Sequence, residues 1–306
     1  MSAVSRVTFV GSKRLGLQVL KCMHGLSPDV LAGVITLDDR ADTRSVFAEL
    51  EGYCAGQGIH MQVARDRRDA EAAISARSPD LCVVVGWYWL ISAAVLAAVP
   101  RGFIGIHNSV LPQYRGGAPL VWQLIRRERH VGASLFSFTP GMDDGPIWAQ
   151  AIVPVQEDDY IGDVLGKLED ATLAAFRDCY PRILDGAARP VEQDHAKATY
   201  CAQRVPEDGA IDWRAPAVQV GAFIRAQSDP YPGAFTQLDG RRLTIWRADV
   251  FKGVYHGTPG QVARVEAEGV YVVCGDSTAL IVREAQLEGR RAPANELIRS
   301  LSGRLA

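Results

Sequence analysis

The run Leu81-Cys-Val-Val-Val85 restricts what this 306-residue chain can fold into more than any other stretch. Five successive apolar residues, three of them β-branched, make a strand with no side fit to face water. Val7-Thr-Phe-Val10 and Val30-Leu-Ala-Gly-Val-Ile-Thr36 repeat the pattern earlier, and Phe103, Ile104 and Ile106 repeat it later. A short strand is expected near Met61-Gln-Val63. Helical segments alternate with these strands: one carries Leu15, Val19 and Leu20 on its apolar face, one runs from about 45 to 57, and another precedes Leu81. Strands buried on both faces and alternating with helices form a parallel sheet covered on each side. The turn Gly11-Ser-Lys-Arg-Leu-Gly16 is glycine-rich, but it lacks the GxGxxG spacing of a dinucleotide site.

Composition excludes several classes. Net charge is −2, so nothing draws the chain as a whole to nucleic acid or an anionic membrane. No run of eighteen apolar residues is present, and MSAVSRVTFVG enters a strand without a leader-like apolar segment. The six cysteines are scattered without CxxC spacing and several sit in apolar runs, as Cys82 does. They read as reduced core thiols of a cytoplasmic protein rather than a disulfide frame or a metal site. No metal is expected.

Chemistry concentrates in two stretches. Gly102 to Gly117 reads GFIGIHNSVLPQYRGG, an apolar strand running into His107 and then breaking at Asn108, Ser109, Pro112 and Gly116-Gly117. A histidine at the carboxyl end of a buried strand stands where open α/β sheets hold their ligands. The second stretch, Gly141-Met-Asp-Asp-Gly145, follows the strand Ala133 to Phe138 and puts Asp143 and Asp144 at the tip of a turn. A loop carboxylate beside a strand-end histidine can hold its tautomer and form an acid/base pair with it. The same spacing also fits a satisfied histidine and two solvated turn acids, and spacing alone leaves both readings open. Gly86-Trp-Tyr-Trp-Leu-Ile-Ser92 leaves the central strand at the edge where His107 is expected. Its three aromatics are either corner packing or one wall of a flat pocket.

The pattern H-x-S-x-L-P-x-Y-R-G followed by G-x-D-x-G-P-I resembles the formyltransferases that use 10-formyltetrahydrofolate. Here it is carried by His107, Ser109, Leu111, Pro112, Tyr114, Arg115 and Gly116, then by Gly141, Asp143, Gly145, Pro146 and Ile147. The resemblance implies a Rossmann-like catalytic domain, an enzyme that transfers a formyl group, and 10-formyltetrahydrofolate as cosubstrate. It assigns His107 and Asp143 to catalysis. It places the folate against Gly86, Trp87, Tyr88, Leu90, Ile91, Thr139, Gly141 and Asp143, largely through backbone groups of the first loop. Ser109, Arg115, Gly116 and Gly117 would shape the acceptor side, with Arg115 either meeting an acceptor phosphate or carboxylate or stabilising the turn. The family pattern is Asn-x-His, whereas this chain has Gly105-Ile106-His107. The missing asparagine holds the formyl oxygen in the family, and Asn108 is the candidate substitute, although strand alternation turns it from the face shared by 105 and 107. The glycine implies that something approaches the strand closely there, and an angled or larger substrate is the expected occupant.

The organisation expected is a catalytic domain over 1–188, a polar Gly/Pro-containing linker over 189–205, and a domain over 206–306. The helix from about 160 to 184 carries apolar residues at 161, 165, 168, 171 and 175. The tail alternates short strands with turns, as in a small OB-like β-barrel, and its Asp229-Pro-Tyr-Pro-Gly-Ala-Phe-Thr236 also resembles the family. The acceptor is expected to be a small amine rather than tRNA, because residues 37–45 mix charges and lack a basic insertion. A nucleotide-linked amino sugar is favoured, with N5-hydroxyornithine as the alternative. A non-catalytic folate-binding or interaction protein is the reading from another class. Monomer and homodimer both remain open.

Overall fold

A computed structural model describes residues 4–306, and the expectation for the first three residues lies outside the described residues. In chain order the strands and helices of the first half are β1 (Val7–Gly11), α1 (Lys13–Leu26), β2 (Leu31–Leu37), α2 (Phe47–Gln57), β3 (Met61–Ala64), α3 (Arg67–Arg77), β4 (Leu81–Val85), α4 (Ala93–Ala98) and β5 (Phe103–His107). There follow β6 (Arg115–Gly116), α5 (Pro119–Ile125), β7 (His130–Ser137), β8 (Ile147–Pro154), α6 (Ile161–Leu184) and β9 (Tyr200–Cys201). The last part holds α7 (Ala217–Arg225), β10 (Ala234–Leu238), β11 (Arg241–Phe251), β12 (Val262–Glu266), β13 (Gly269–Val273), β14 (Ala279–Leu287), β15 (Arg290–Pro293) and α8 (Ala294–Leu297).

The chain divides into two compact units. Of the described residues, one comprises 4–119, 130–154 and 166–201, and the other 120–129, 155–165 and 202–306. The 189–205 stretch is therefore no free linker up to Cys201: Val191 bridges Ile147, and β9 pairs in parallel with β6.

The first unit is a seven-stranded sheet in the order β3-β2-β1-β4-β5-β7-β8. Pairings among β1 to β5 are parallel, as the apolar runs predicted. Both faces are covered. Val7, Phe9, Val83, Val85 and Ile104 join one core with residues of α1 and α6, whereas Val10, Cys82, Val84 and Phe103 join a second with α3, Trp87, Trp89 and Phe138. The strand order reverses direction between β1 and β4, and crevices of this kind are where doubly wound sheets bind ligands. The Ser12 N–H donates to the Val85 carbonyl and its hydroxyl to the Gly86 carbonyl (3.0 and 2.7 Å), fastening the first turn to the 86–92 loop.

In the second unit β10-β11-β14-β13-β12 form an antiparallel sheet, with β15 on β14. Its two edges are joined by the C-terminal residues: Leu305 bridges Leu238 of β10, and Arg304 bridges Gln261 just before β12. Closure of this kind removes the exposed edges that an open sheet presents. Its core holds Ile211, Trp213, Leu243, Ile245, Val270, Val272, Leu280, Val282 and Leu305.

Candidate active site

His107 ends β5 and is 9% exposed. The backbone beyond it is shaped by buried hydroxyls. Ser109, wholly buried, donates from Oγ to the Gln113 carbonyl (2.6 Å), while its own carbonyl accepts from Ser134 Oγ (2.7 Å). Ser134 Oγ accepts in turn from the Leu111 N–H (3.0 Å). The turn then passes through Tyr114 at φ 58°, a left-handed conformation uncommon for a residue with a Cβ. This brings the Tyr114 carbonyl within 2.8 Å of His107 Nε2. A carbonyl only accepts, so Nε2 carries a proton, and Nδ1 is the nitrogen turned towards Asp143.

Asp143 reaches that nitrogen by an indirect path. Because β7 runs antiparallel to β5, with Ser137 beside Ile104, its carboxyl end lies at the start of β5 rather than beside His107. Loop 138–146 therefore folds back over the sheet face bearing Gly105 and His107. The loop that bears Asp143 thus leaves the sheet at the end opposite His107 and returns to it. Asp143 sits at φ 48°, and its Oδ2 accepts from the Gly116 N–H (2.8 Å) while lying 3.6 Å from His107 Nδ1. A proton on Nδ1 has a carboxylate beside it.

Gly105 is explained by the chain itself. A Cβ at this position would stand 2.1 Å from Cε1 and 2.6 Å from Cζ of Phe138, far inside van der Waals contact. The Phe138 ring also packs against Phe136 and stacks on Phe103. Phe138, not substrate, fills the space beside Gly105, which corrects the expected occupant. Asn108 is half-buried directly after the strand, where the Ser109 N–H turns back to the His107 carbonyl (2.9 Å).

The remaining residues separate into two groups. Trp87 and Trp89 pack edge to face at 5.1 Å and close the second core, and Ile91 packs beside them, so these side chains are corner packing. Tyr88 points elsewhere: its hydroxyl donates to Asp42 Oδ2 (2.9 Å), and Lys13 Nζ lies 4.9 Å above its ring. It is corrected to a clasp on the 38–46 loop, leaving Leu90 as the exposed apolar side chain of this stretch. In the other loop the Thr139 hydroxyl donates to Asp144, and a Cβ on Gly141 would run into the Asp144 carboxylate.

On the acceptor side, Ser109 and Arg115 are corrected to internal roles. Arg115 is 3% exposed and donates to Gln193 Oε1, with His195 Nδ1 at 3.1 Å from Nη2, so it stabilises the turn. The Gly116 N–H serves Asp143 and the Gly117 N–H serves the Cys201 carbonyl (3.1 Å), leaving neither free for an acceptor. Among the described residues, no group of three His, Cys, Asp or Glu could hold a metal ion. Sequence reasoning missed Gln193, Phe138 and the Tyr114 carbonyl as parts of the site. Only the clash at Gly105 had a trace in the sequence, as a glycine where a strand residue was due.

The chain as a whole is similar to known proteins. Residues 30–179 match the family model described as formyl transferase, and residues 204–302 match that of the formyl transferase C-terminal domain. The methionyl-tRNA formyltransferase of Anaeromyxobacter dehalogenans (strain 2CP-C) is 31% identical over 293 residues, 94% of each chain. The chain belongs to the formyltransferase family. It is an enzyme on that ground. Among solved structures, the N-formyltransferase from Helicobacter canadensis, in complex with folinic acid and dTDP-3-aminofucose, shares the fold with a TM-score of 0.69 at 16% identity, covering 90% of this chain and 98% of that one. HypX from Aquifex aeolicus in complex with tetrahydrofolic acid gives 0.66 at 17% identity; the match covers 97% of this chain, which spans 47% of the length of HypX.

An imidazole nitrogen thus stands beside a carboxylate that is fixed by a backbone N–H, a pair chemically able to take up and pass on a proton.

Proposed function

We propose that the enzyme moves the formyl group of 10-formyltetrahydrofolate to the amine of a small acceptor, a nucleotide-linked amino sugar in the first instance. The donor half is supported by the formyltransferase family match and by solved relatives in complex with tetrahydrofolic acid or folinic acid. In the reaction the acceptor nitrogen attacks the formyl carbon, a tetrahedral oxyanion forms, and the folate nitrogen leaves. One proton departs from the acceptor nitrogen and one arrives at the leaving nitrogen. Asp143 takes the proton of the acceptor, directly or through water, and returns it to the leaving folate nitrogen, while His107, protonated at Nδ1, donates a hydrogen bond to the oxyanion and keeps its proton. The backbone of the 86–91 loop and the 139–144 loop would hold the donor, with Leu90 as an apolar contact.

The observation that carries the acceptor reading is the charge pairing of the loop after β2. Arg40 pairs with Asp38, Arg44 with Asp42, and Lys13 with Asp39 and Asp42 at 2.7 and 2.9 Å. The loop's cations are matched by its own acids, which leaves little attraction for a phosphate backbone. The competing reading, methionyl-tRNA as acceptor, is favoured by the 31% identical relative. A panel assay separates them. Tetrahydrofolate release is followed with 10-formyltetrahydrofolate and, in turn, nucleotide-linked amino sugars, N5-hydroxyornithine and methionyl-tRNA. Release with a small amine alone is expected. Efficient formylation of methionyl-tRNA, weakening steeply with salt, would overturn the acceptor assignment.

A further inference from the structure

We propose that Gln193 is a positioning residue for formyl transfer, holding the Asp143 loop and the turn after His107 in register. This rests on the assignment of His107 and Asp143 to catalysis made above. Gln193 is 5% exposed, and its amide spends its whole hydrogen-bonding capacity on the two catalytic segments. Nε2 donates to the Asp143 carbonyl (2.8 Å) and to the Gly145 carbonyl (2.7 Å). Oε1 accepts from Arg115 Nη2 (2.6 Å) and Nε (3.2 Å). Since carbonyls only accept and a guanidinium only donates, the amide can point only one way.

The consequence lies in what those partners hold. Arg115 follows Tyr114, whose carbonyl fixes His107 Nε2, and precedes Gly116, whose N–H fixes the Asp143 carboxylate. Gln193 thus ties the backbone of Asp143 to the segment that orients both catalytic side chains. Asp143 also sits at φ 48°, a left-handed conformation that surrounding bonds must hold in place. A shift of about 1 Å at such a residue is enough to cost roughly a hundredfold in rate.

Two substitutions separate positioning from mere satisfaction of the buried arginine. Gln193→Glu keeps an acceptor for Arg115 and adds an opposite charge, but turns a carboxylate oxygen towards the carbonyls of Asp143 and Gly145. Gln193→Leu removes all four bonds. The measurements are thermal melting, kcat and KM for donor and acceptor, the pH–rate profile, and the NMR titration of the His107 ring without substrates. Both variants are expected to lose roughly a hundredfold in kcat with little change in KM. Gln193→Glu is expected to stay folded and to show a displaced pH profile and a displaced His107 titration. If Gln193→Leu does not fold, Gln193→Glu alone decides. Wild-type kcat and pH profile in Gln193→Glu, with Asp143→Asn inactive, would overturn the positioning role. Wild-type activity in Asp143→Asn would instead overturn the site assignment, and this proposal with it.

Discussion

At the scale of single residues, the site depends on a small number of close contacts. His107 and Asp143 stand 3.6 Å apart, each held by a backbone group of the intervening turn. His107→Ala and Asp143→Ala are each expected to lower turnover by about a hundredfold to ten-thousandfold while the protein stays folded. Wild-type rates in both, measured as tetrahydrofolate release, would remove the assignment. Gly105 and Phe138 form a coupled pair. Gly105→Asn forces a side chain into the volume of the Phe138 ring and is expected to lower both melting temperature and turnover. Phe138→Ala clears that volume, so the double variant should recover part of the loss, a coupling that a double-mutant cycle measures. Strictly additive losses would show that the two positions act separately. The sequence announced half of this pair: a glycine on an otherwise apolar strand signals a close neighbour, but the register of β5 and β7 sets Phe136 opposite Gly105, and only side-chain packing identifies the close neighbour as Phe138.

At the scale of elements, the legible parts were those with strong periodicity. The apolar runs of β1, β2 and β4 specified parallel, doubly covered strands, and the stripe on α6 specified a long helix. The return of loop 138–146 was not legible, because strand direction in β7 is set by pairing partners rather than by local pattern. The same holds for the 38–46 loop, whose mixed charges gave no sign that Asp39 and Asp42 pair with Lys13 of α1. Burial works to raise the carboxyl pKa of Asp42, but bonds from Arg44, Lys13 and Tyr88 outweigh it and hold the group well below its usual range. For Lys13, burial works to lower the pKa, and bonds to Asp39, Asp42 and Tyr88 carry it above its usual value. A depressed carboxylate stabilises above its unfolded pKa, about 4, and that contribution is lost as pH falls through the folded value. A raised lysine stabilises below its unfolded pKa, roughly 10.4, and its contribution fades as pH rises through the folded value. The loop should therefore be firmly held from about pH 4 to about pH 10. Fluorescence of the neighbouring Trp87 and Trp89 should change at the acid limb in the wild type and lose that transition in Asp42→Asn. An identical acid limb in the variant would show that Asp42 is not its source.

At the scale of the whole molecule, the two compact units are not continuous in sequence. Residues 120–129 and 155–165 belong with the second unit although each lies within the stretch read as catalytic domain. Such interleaving leaves no compositional mark, because a helix such as α5 keeps the same apolar pattern whichever core it joins. Closure of the second sheet was equally silent. Leu305 is 3% exposed and donates from its N–H to the Gly260 carbonyl (2.8 Å), joining an edge that no local sequence feature marks. Leu305→Ala is expected to destabilise the protein by about 2 kcal/mol or more, read from denaturant unfolding, whereas an unchanged midpoint would show that the tail is not part of the core. The central claim, formyl transfer through His107 and Asp143 to a small amine, is tested most directly by following the carbon itself. With 10-formyltetrahydrofolate labelled with ¹³C in the formyl group and a nucleotide-linked amino sugar as acceptor, NMR should show the label as a new formamide on the sugar. It should not do so with His107→Ala on the same timescale. A label that stays on the folate with every small amine, or reaches the sugar equally fast without His107, would contradict the account.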